Sequence, residues 1–129
     1  MSEQVDYQPR LPTVFIVEDE TMLAMLIEDM LEELGYVTAF HASALDAGVE
    51  YARCGEYDLA ILDINIIGGN SFPIAAEIAS RGIPFIFCSG YGRLGIPPVW
   101  ADRHCVAKPF GIGQLNEALA ALLVPGAVA

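Results

Sequence analysis

Basic side chains are scarce: six Lys and Arg stand against 17 Asp and Glu in 129 residues, a formal net charge of −11. A bare nucleic-acid binder needs a basic footprint, and so does a protein that sits on an anionic membrane, so neither partner is expected. Cysteine is also sparse. Cys54, Cys88 and Cys105 are odd in number and form no Cys-x-x-Cys pair, which argues against a disulfide framework or a zinc site and fits reduced thiols. No apolar run is long enough to span a bilayer, and the opening MSEQVDYQPRLP has no basic stretch followed by an apolar one. The expected localisation is cytoplasmic.

What is present is apolar. Hydrophobic residues make up 54% of the chain, enough for one well-filled core in a single domain. Residues 1–12 carry Pro9 and Pro12 and are expected to be a flexible tail, 13–124 the folded domain, and 125–129, with Pro125 and Gly126, a second tail that stops the last helix. Within the domain, short β-branched and apolar runs alternate with segments of helical periodicity, the signature of a parallel sheet. The strands are expected at TVFIV (13–17), at about 36–40, at DLAILD ending on Asp63, at PFIFC (84–88) and at about 103–107.

The helices fall between them. One at about 20–34 has Leu23, Leu26, Ile27, Met30 and Leu34 on one stripe and ends at Gly35. A second is expected to be capped by Ser43, with Asp46 three residues on and Leu45, Gly48, Val49 and Ala52 facing inward. A third, near 72–81, is expected to be capped by Ser71 and closed at Gly82, and the last carries Leu115, Ala118, Leu119 and Leu122 on one face. SGYGRLGIPPVWADR, with three Gly and two Pro, supports at most a short, weak helix. The expected fold is α/β: a doubly wound, five-stranded parallel sheet of order 2-1-3-4-5, flavodoxin-like, with helices on both faces.

In such a sheet, ligands bind at the carboxyl ends of the strands near the switch in strand order. The polar residues there are Glu18 and Asp19 after the first strand, Asp63 after the third, Ser89 after the fourth and Lys108 after the fifth. Carboxylates within about 5 Å repel by roughly 3 kcal/mol per pair at an effective dielectric near 20. Lys108 offsets one charge, and a Mg²⁺ ion on hard oxygen ligands would offset the rest. Asp63 is then a nucleophile able to take a phosphoryl group, with Lys108 and the metal neutralising its oxygens and the Ser89 hydroxyl hydrogen-bonding one of them. The backbone carbonyl of Asn65, two residues beyond Asp63, is a further candidate metal ligand.

VEDE, LDIN, CSG and KPF, in that order at strand ends, resemble the receiver domain of bacterial two-component response regulators, and the resemblance covers about residues 13–123. It implies that Asp63 is the phosphoacceptor, Asp19 a direct metal ligand and Glu18 one acting through water. It further implies that Ser89 is the switch hydroxyl, that Lys108 contacts the phosphoryl group, and that the Lys108–Pro109 peptide is cis. The run PFIFCSGYG is similar to the FATGUY subgroup of single-domain receivers, often paired with histidine kinases of the HWE type and its relatives; Cys88 and Ser89 stand where that run has Ala and Thr.

By this resemblance the chain is a stand-alone response regulator and signalling protein rather than an enzyme. It would be phosphorylated by a histidine kinase or a histidine phosphotransfer protein and act on a downstream protein target. Three features depart from the general pattern: Ile67 where most receivers have Pro, a Gly- and Pro-rich segment before the fifth strand, and Cys105 where most have an aromatic switch. Because Cys105 is too small to report a movement, Tyr91, between Gly90 and Gly92, is expected to carry the switch with the 89–98 loop.

Blander readings exist. Asp19 can be a helix N-cap, Asp63 and Ser89 can be turn residues, and Lys108–Pro109 can be a plain loop. His41 and His104 are expected to be surface or satisfied polar residues, Trp100 a packing residue and Cys105 a small buried hydrophobe. At the level of function, the alternative is a pseudo-receiver, an interaction module that is never phosphorylated. A flavoprotein or nucleotide-binding enzyme is disfavoured because VEDET lacks the residues that cradle phosphate. A dehalogenase-like phosphatase is disfavoured because Asn65 stands where its second acid belongs.

Overall fold

Side chains alternate across a strand, so a strand covered on both faces must be apolar at every position. In the computed structural model, which describes residues 10–123, β1 (Thr13–Val17) obeys this rule from Val14 onward, only the half-buried Thr13 at its start being polar. Val14 and Ile16 point into one core, Phe15 and Val17 into the other. Parallel to it run β2 (Val37–Ala42), β3 (Leu59–Asp63), β6 (Phe85–Ser89) and β7 (Cys105–Ala107), in the order β2-β1-β3-β6-β7. Counting only the strands of this sheet, that is the expected 2-1-3-4-5. The two remaining strands, β4 (Asn65–Ile66) and β5 (Gly69–Asn70), form a small antiparallel hairpin directly after β3.

Helices α1 (Thr21–Leu34) and α4 (Ile112–Leu123) cover one face, burying Ile27, Leu31, Leu115, Ala118 and Leu119 against Val14, Ile16, Ile61, Ile86 and Val106. Helices α2 (Leu45–Cys54) and α3 (Phe72–Ser80) cover the other, with Ala52, Ile74, Ala75 and Ile78 against Phe15, Leu62, Phe85 and Phe87. Gly48 lets α2 approach α3: a Cβ built there would lie 2.4 Å from Ile74 Cδ1.

Several local expectations are corrected. The buried stripe of α1 is Ala24, Ile27 and Leu31, flanked by half-buried Leu23, Met30 and Leu34, while Leu26 is exposed. The inward direction of α1 therefore runs along Ala24, Ile27 and Leu31, turned away from Leu26. Ser43 does not cap α2, which begins at Leu45 after Ala44; the Leu45 N–H donates instead to the carbonyl of Ile67. Ser71 does occupy the N-cap position of α3, but its buried hydroxyl has no hydrogen-bond partner among the described residues. The Asn70 side chain accepts the Phe72 N–H in its place. Between β6 and β7 the described residues contain only one turn of 3₁₀ helix, Pro98–Trp100, from which Trp100 packs edge-on against Phe85 and Phe87.

Most of the two expected tails, with Pro125 and Gly126, lies outside the described residues. Arg10 to Pro12 are described: Arg10 pairs with Asp58, and the Pro12 carbonyl accepts the Val37 N–H. Asp58 also accepts hydrogen bonds from the Thr13 N–H and hydroxyl. Burial pushes the Asp58 carboxyl up, but these donors and Arg10 outweigh it and hold the group below its ordinary value. A depressed folded-state pKa contributes stability above the unfolded value, near 4, and that contribution is lost as pH falls through the folded value. Asp58→Ala is therefore expected to cost about 1–2 kcal/mol at pH 7, mostly through Thr13, since the exposed Arg10 pair adds little. In urea unfolding at a series of pH values, the gap between variant and wild type should close below about pH 4.

Candidate functional site

The carboxyl edge of the sheet gathers four of the side chains expected there. Glu18, Asp19 and Asp63 each offer a carboxylate oxygen, and the three atoms lie within 4.8 Å of one another. The Lys108 ammonium, carried past the end of β7, donates to Glu18 Oε1 at 2.9 Å and sits 3.2 Å from Asp63 Oδ2. Lys108 is the single lysine of the whole sequence. The peptide linking it to Pro109 is cis, as expected.

The balance of charge is simple. Three carboxylates at these separations repel by roughly 3 kcal/mol per pair, and one ammonium cannot offset them all. Two formal negative charges remain in excess if every group is ionised. Glu18 is 1% exposed; burial raises its pKa, against the Lys108 hydrogen bond and a second from the Glu20 N–H. Burial also works against the Lys108 ammonium, but Glu18 and Asp63 prevail and raise its pKa. Hard oxygen donors with a net charge of minus two fit a divalent cation such as Mg²⁺. Glu18, Asp19 and Asp63 would hold it, and it would supply charge neutralisation.

Asp19 is not the N-cap of α1: that place belongs to Glu20, whose side chain makes no capping bond. Asp63 ends β3 opposite Cys88 in the register, one strand from Ser89. Ser89 is 3% exposed and closes β6 next to Ala107; its hydroxyl accepts the Tyr91 N–H at 3.0 Å, and its carbonyl accepts the Lys108 N–H. Ser89 thus belongs to the same edge, held in a local turn. Tyr91 projects from it with 72% of its surface exposed. Asn65 is exposed in β4, paired with Asn70. Cys105 is half-buried and its thiol lies 3.4 Å from the Gly92 carbonyl; burial raises its pKa, as it does more strongly for Cys88. His104 is exposed.

Two participants were not anticipated. His41 Nε2 lies 2.7 Å from the Glu18 carbonyl, a role that a lone histidine in an apolar strand does not announce. The β4–β5 hairpin binds the residues after Asp63 to the start of α2 through an Ala44–Ile67 bridge and the Leu45 N–H. Its signal was IIGGN itself, since Gly68 and Gly69 both adopt positive φ.

A five-stranded parallel sheet of this order, with a carboxylate cluster and one ammonium at its carboxyl edge, is the doubly wound architecture that receivers share with flavodoxins. The chain belongs to the response regulator receiver domain family, whose model matches residues 14–120. It is 31% identical over 110 residues to the transcriptional regulatory protein PdtaR of Mycobacterium tuberculosis, a match covering 82% of this chain and 54% of that protein. The chain spans about half the length of the curated relatives it matches.

Among solved structures it resembles SdrG from Sphingomonas melonis, with 38% identity, a TM-score of 0.78 and coverage of 88% of this chain and 98% of that one. It also resembles TrrA from Thermotoga maritima, solved with Mg²⁺ and BeF, with 28% identity, a TM-score of 0.78 and coverage of 88% and 100%. Receivers of this family are phosphorylated on an aspartate by histidine kinases or phosphotransfer proteins in two-component systems. The Mg²⁺ of the TrrA structure is of the kind that the acidic cluster of this chain fits. Among the described residues no helix is long and apolar enough to cross a membrane.

Proposed function

We propose that this chain is a stand-alone receiver that accepts a phosphoryl group on Asp63 and signals through a changed protein-binding surface. The observation that carries the reading is the Lys108 ammonium placed between Glu18 and Asp63, beside Asp19. An Asp63 oxygen attacks the phosphorus of a phosphohistidine on a histidine kinase or phosphotransfer protein. The new O–P bond forms as the P–N bond breaks, and the leaving imidazole takes up a proton. Lys108 stays on the transferred oxygens, and Ser89, freed from the Tyr91 N–H, turns its hydroxyl toward one of them. Glu18, Asp19, Asp63 and the Asn65 carbonyl would hold the metal, Glu18 through a water, and the ion would supply neutralisation of the transferring oxygens.

The stand-alone reading draws support from the SdrG match, which runs over 98% of that chain. PFIFCSGYG supports membership of the FATGUY subgroup, and with it a kinase of the HWE type or a relative. The experiment is incubation with Mg²⁺ and a small phosphodonor, followed by intact mass: one added phosphoryl group, dependent on Mg²⁺, is expected. No addition under any condition would favour the pseudo-receiver.

The output switch is assigned to Tyr91. Its backbone N–H is tied to the hydroxyl that the phosphoryl group would recruit, and its ring is exposed where a partner could touch it. One hydrogen bond to a charged oxygen is worth roughly 1.5–3 kcal/mol, enough to shift a two-state loop about tenfold or more. Tyr91→Ala should leave phosphorylation of Asp63 intact but shrink the difference in partner binding between the two states. Undiminished coupling in that variant would remove Tyr91 from the switch.

A further inference from the structure

Strand β2 lies at the edge of the sheet, and its last two residues hold the residue on which the acidic cluster is built. The β1–β2 register ends at Ile16 with His41 and Val17 with Ala42. One step further, the Glu18 N–H donates to the Ala42 carbonyl at 3.0 Å. The chain must then leave the sheet, because α1 begins at Thr21. The carbonyl of Glu18, on the same side as its N–H, is then met by the His41 ring of β2, Nε2 to oxygen at 2.7 Å. A carbonyl can only accept, so Nε2 carries the hydrogen.

Every polar group of Glu18 is thereby engaged: its N–H by Ala42, its carbonyl by His41, and its carboxylate by Lys108 and the Glu20 N–H. The peptide that His41 holds is the one joining Glu18 to Asp19, and its plane sets where the Asp19 carboxylate lies. Without a cation, the three carboxylates repel one another and Asp19 gains by swinging outward.

We propose that His41 is a positioning residue for the divalent-cation site: its Nε2–H fixes the Glu18–Asp19 peptide and keeps the acidic pair gathered. This rests on the metal set of the proposed function. Residues that orient ligands in this indirect way typically change metal affinity by about tenfold to a hundredfold when removed.

The test is Mg²⁺ titration calorimetry on the full chain, with His41→Ala, His41→Gln and His41→Asn beside wild type. The amide nitrogen of Gln stands at the reach of Nε2, whereas that of Asn stands at the reach of Nδ1. Binding should weaken about tenfold in the Ala and Asn variants and return close to wild type in the Gln variant. A second readout needs no metal: the Asp19 amide ¹⁵N resonance should move in His41→Ala and return in His41→Gln, which general loosening of β2 would not reproduce. Mg²⁺ affinity unchanged in His41→Ala, or a Gln variant as weak as the Ala variant, would overturn the role. Wild type that binds no Mg²⁺ would instead overturn the metal set itself.

Discussion

Asp63→Asn is expected to abolish the phosphoryl adduct completely while making the metal-free domain more stable than wild type. Loss of the adduct follows from chemistry: an amide oxygen is not a nucleophile toward phosphorus under conditions where a carboxylate is. The stability change follows from the charges. Removing the Asp63 charge relieves two repulsions, with Glu18 and with Asp19, and forfeits one attraction, to Lys108. Each is of the order of 3 kcal/mol before solvent screening, so the balance favours the variant by about 1–3 kcal/mol without metal. Intact mass after treatment with a phosphodonor tests the first half and urea unfolding in a chelator the second. Mg²⁺ should then stabilise wild type more than the variant, because only wild type keeps all three carboxylates. A variant that still gains the phosphoryl group would remove Asp63 from the chemistry.

Lys108→Met should act in the opposite sense on stability. It strips the buried Glu18 carboxylate of its cation, the only one within ion-pair distance among the described residues. Leaving one member of a buried pair unpartnered costs about 3–5 kcal/mol when the charge stays ionised. Glu18 can escape part of that by taking up a proton, and its carboxyl is already raised by burial. A raised folded-state pKa on an acid means that the native state binds the extra proton. Stability of the variant is therefore greatest at low pH and falls as pH rises from about 4, the unfolded value, through the folded one.

The deficit against wild type should consequently be large at pH 7 and small near pH 4. Mg²⁺ affinity should rise in the variant, since a competing positive charge has gone, while the rate of phosphorylation should fall because the ammonium no longer stabilises the transferring oxygens. Weaker metal binding in the variant would contradict this electrostatic account.

The sheet order and the strand-end residues were legible because both follow from local rules. A buried parallel strand must be continuously apolar, and the first polar residue after it marks the carboxyl edge, as Asp63 after LAIL and Ser89 after FIFC do. The gathering of Glu18, Asp19, Asp63 and Lys108 needed only that rule and the strand order. The misses are the features decided by contacts between distant segments. Ser43 has the chemistry of a cap, yet Ile67 supplies the acceptor for the Leu45 N–H from 22 positions along the chain. His41 carries no periodic signal for its bond to Glu18, because that bond depends on the β1–β2 register. The hairpin at Asn65–Asn70 has no strand signature in the sequence, because two-residue strands lie below the reach of any alternation pattern.

That Lys108 is the only lysine in 129 residues has a bearing on how the molecule can be handled. Reagents that modify primary amines have one side chain to attack, and it is the one that holds Glu18 and Asp63. Amine-directed dyes, crosslinkers and sensor-surface couplings that reach it destroy the site they are meant to observe. Cys54 offers the alternative attachment point. It is an exposed thiol at the C-terminal end of α2, five residues before β3 begins, so it sits at the opposite end of the sheet from the carboxylates. A maleimide probe or tether placed there leaves the charged edge free.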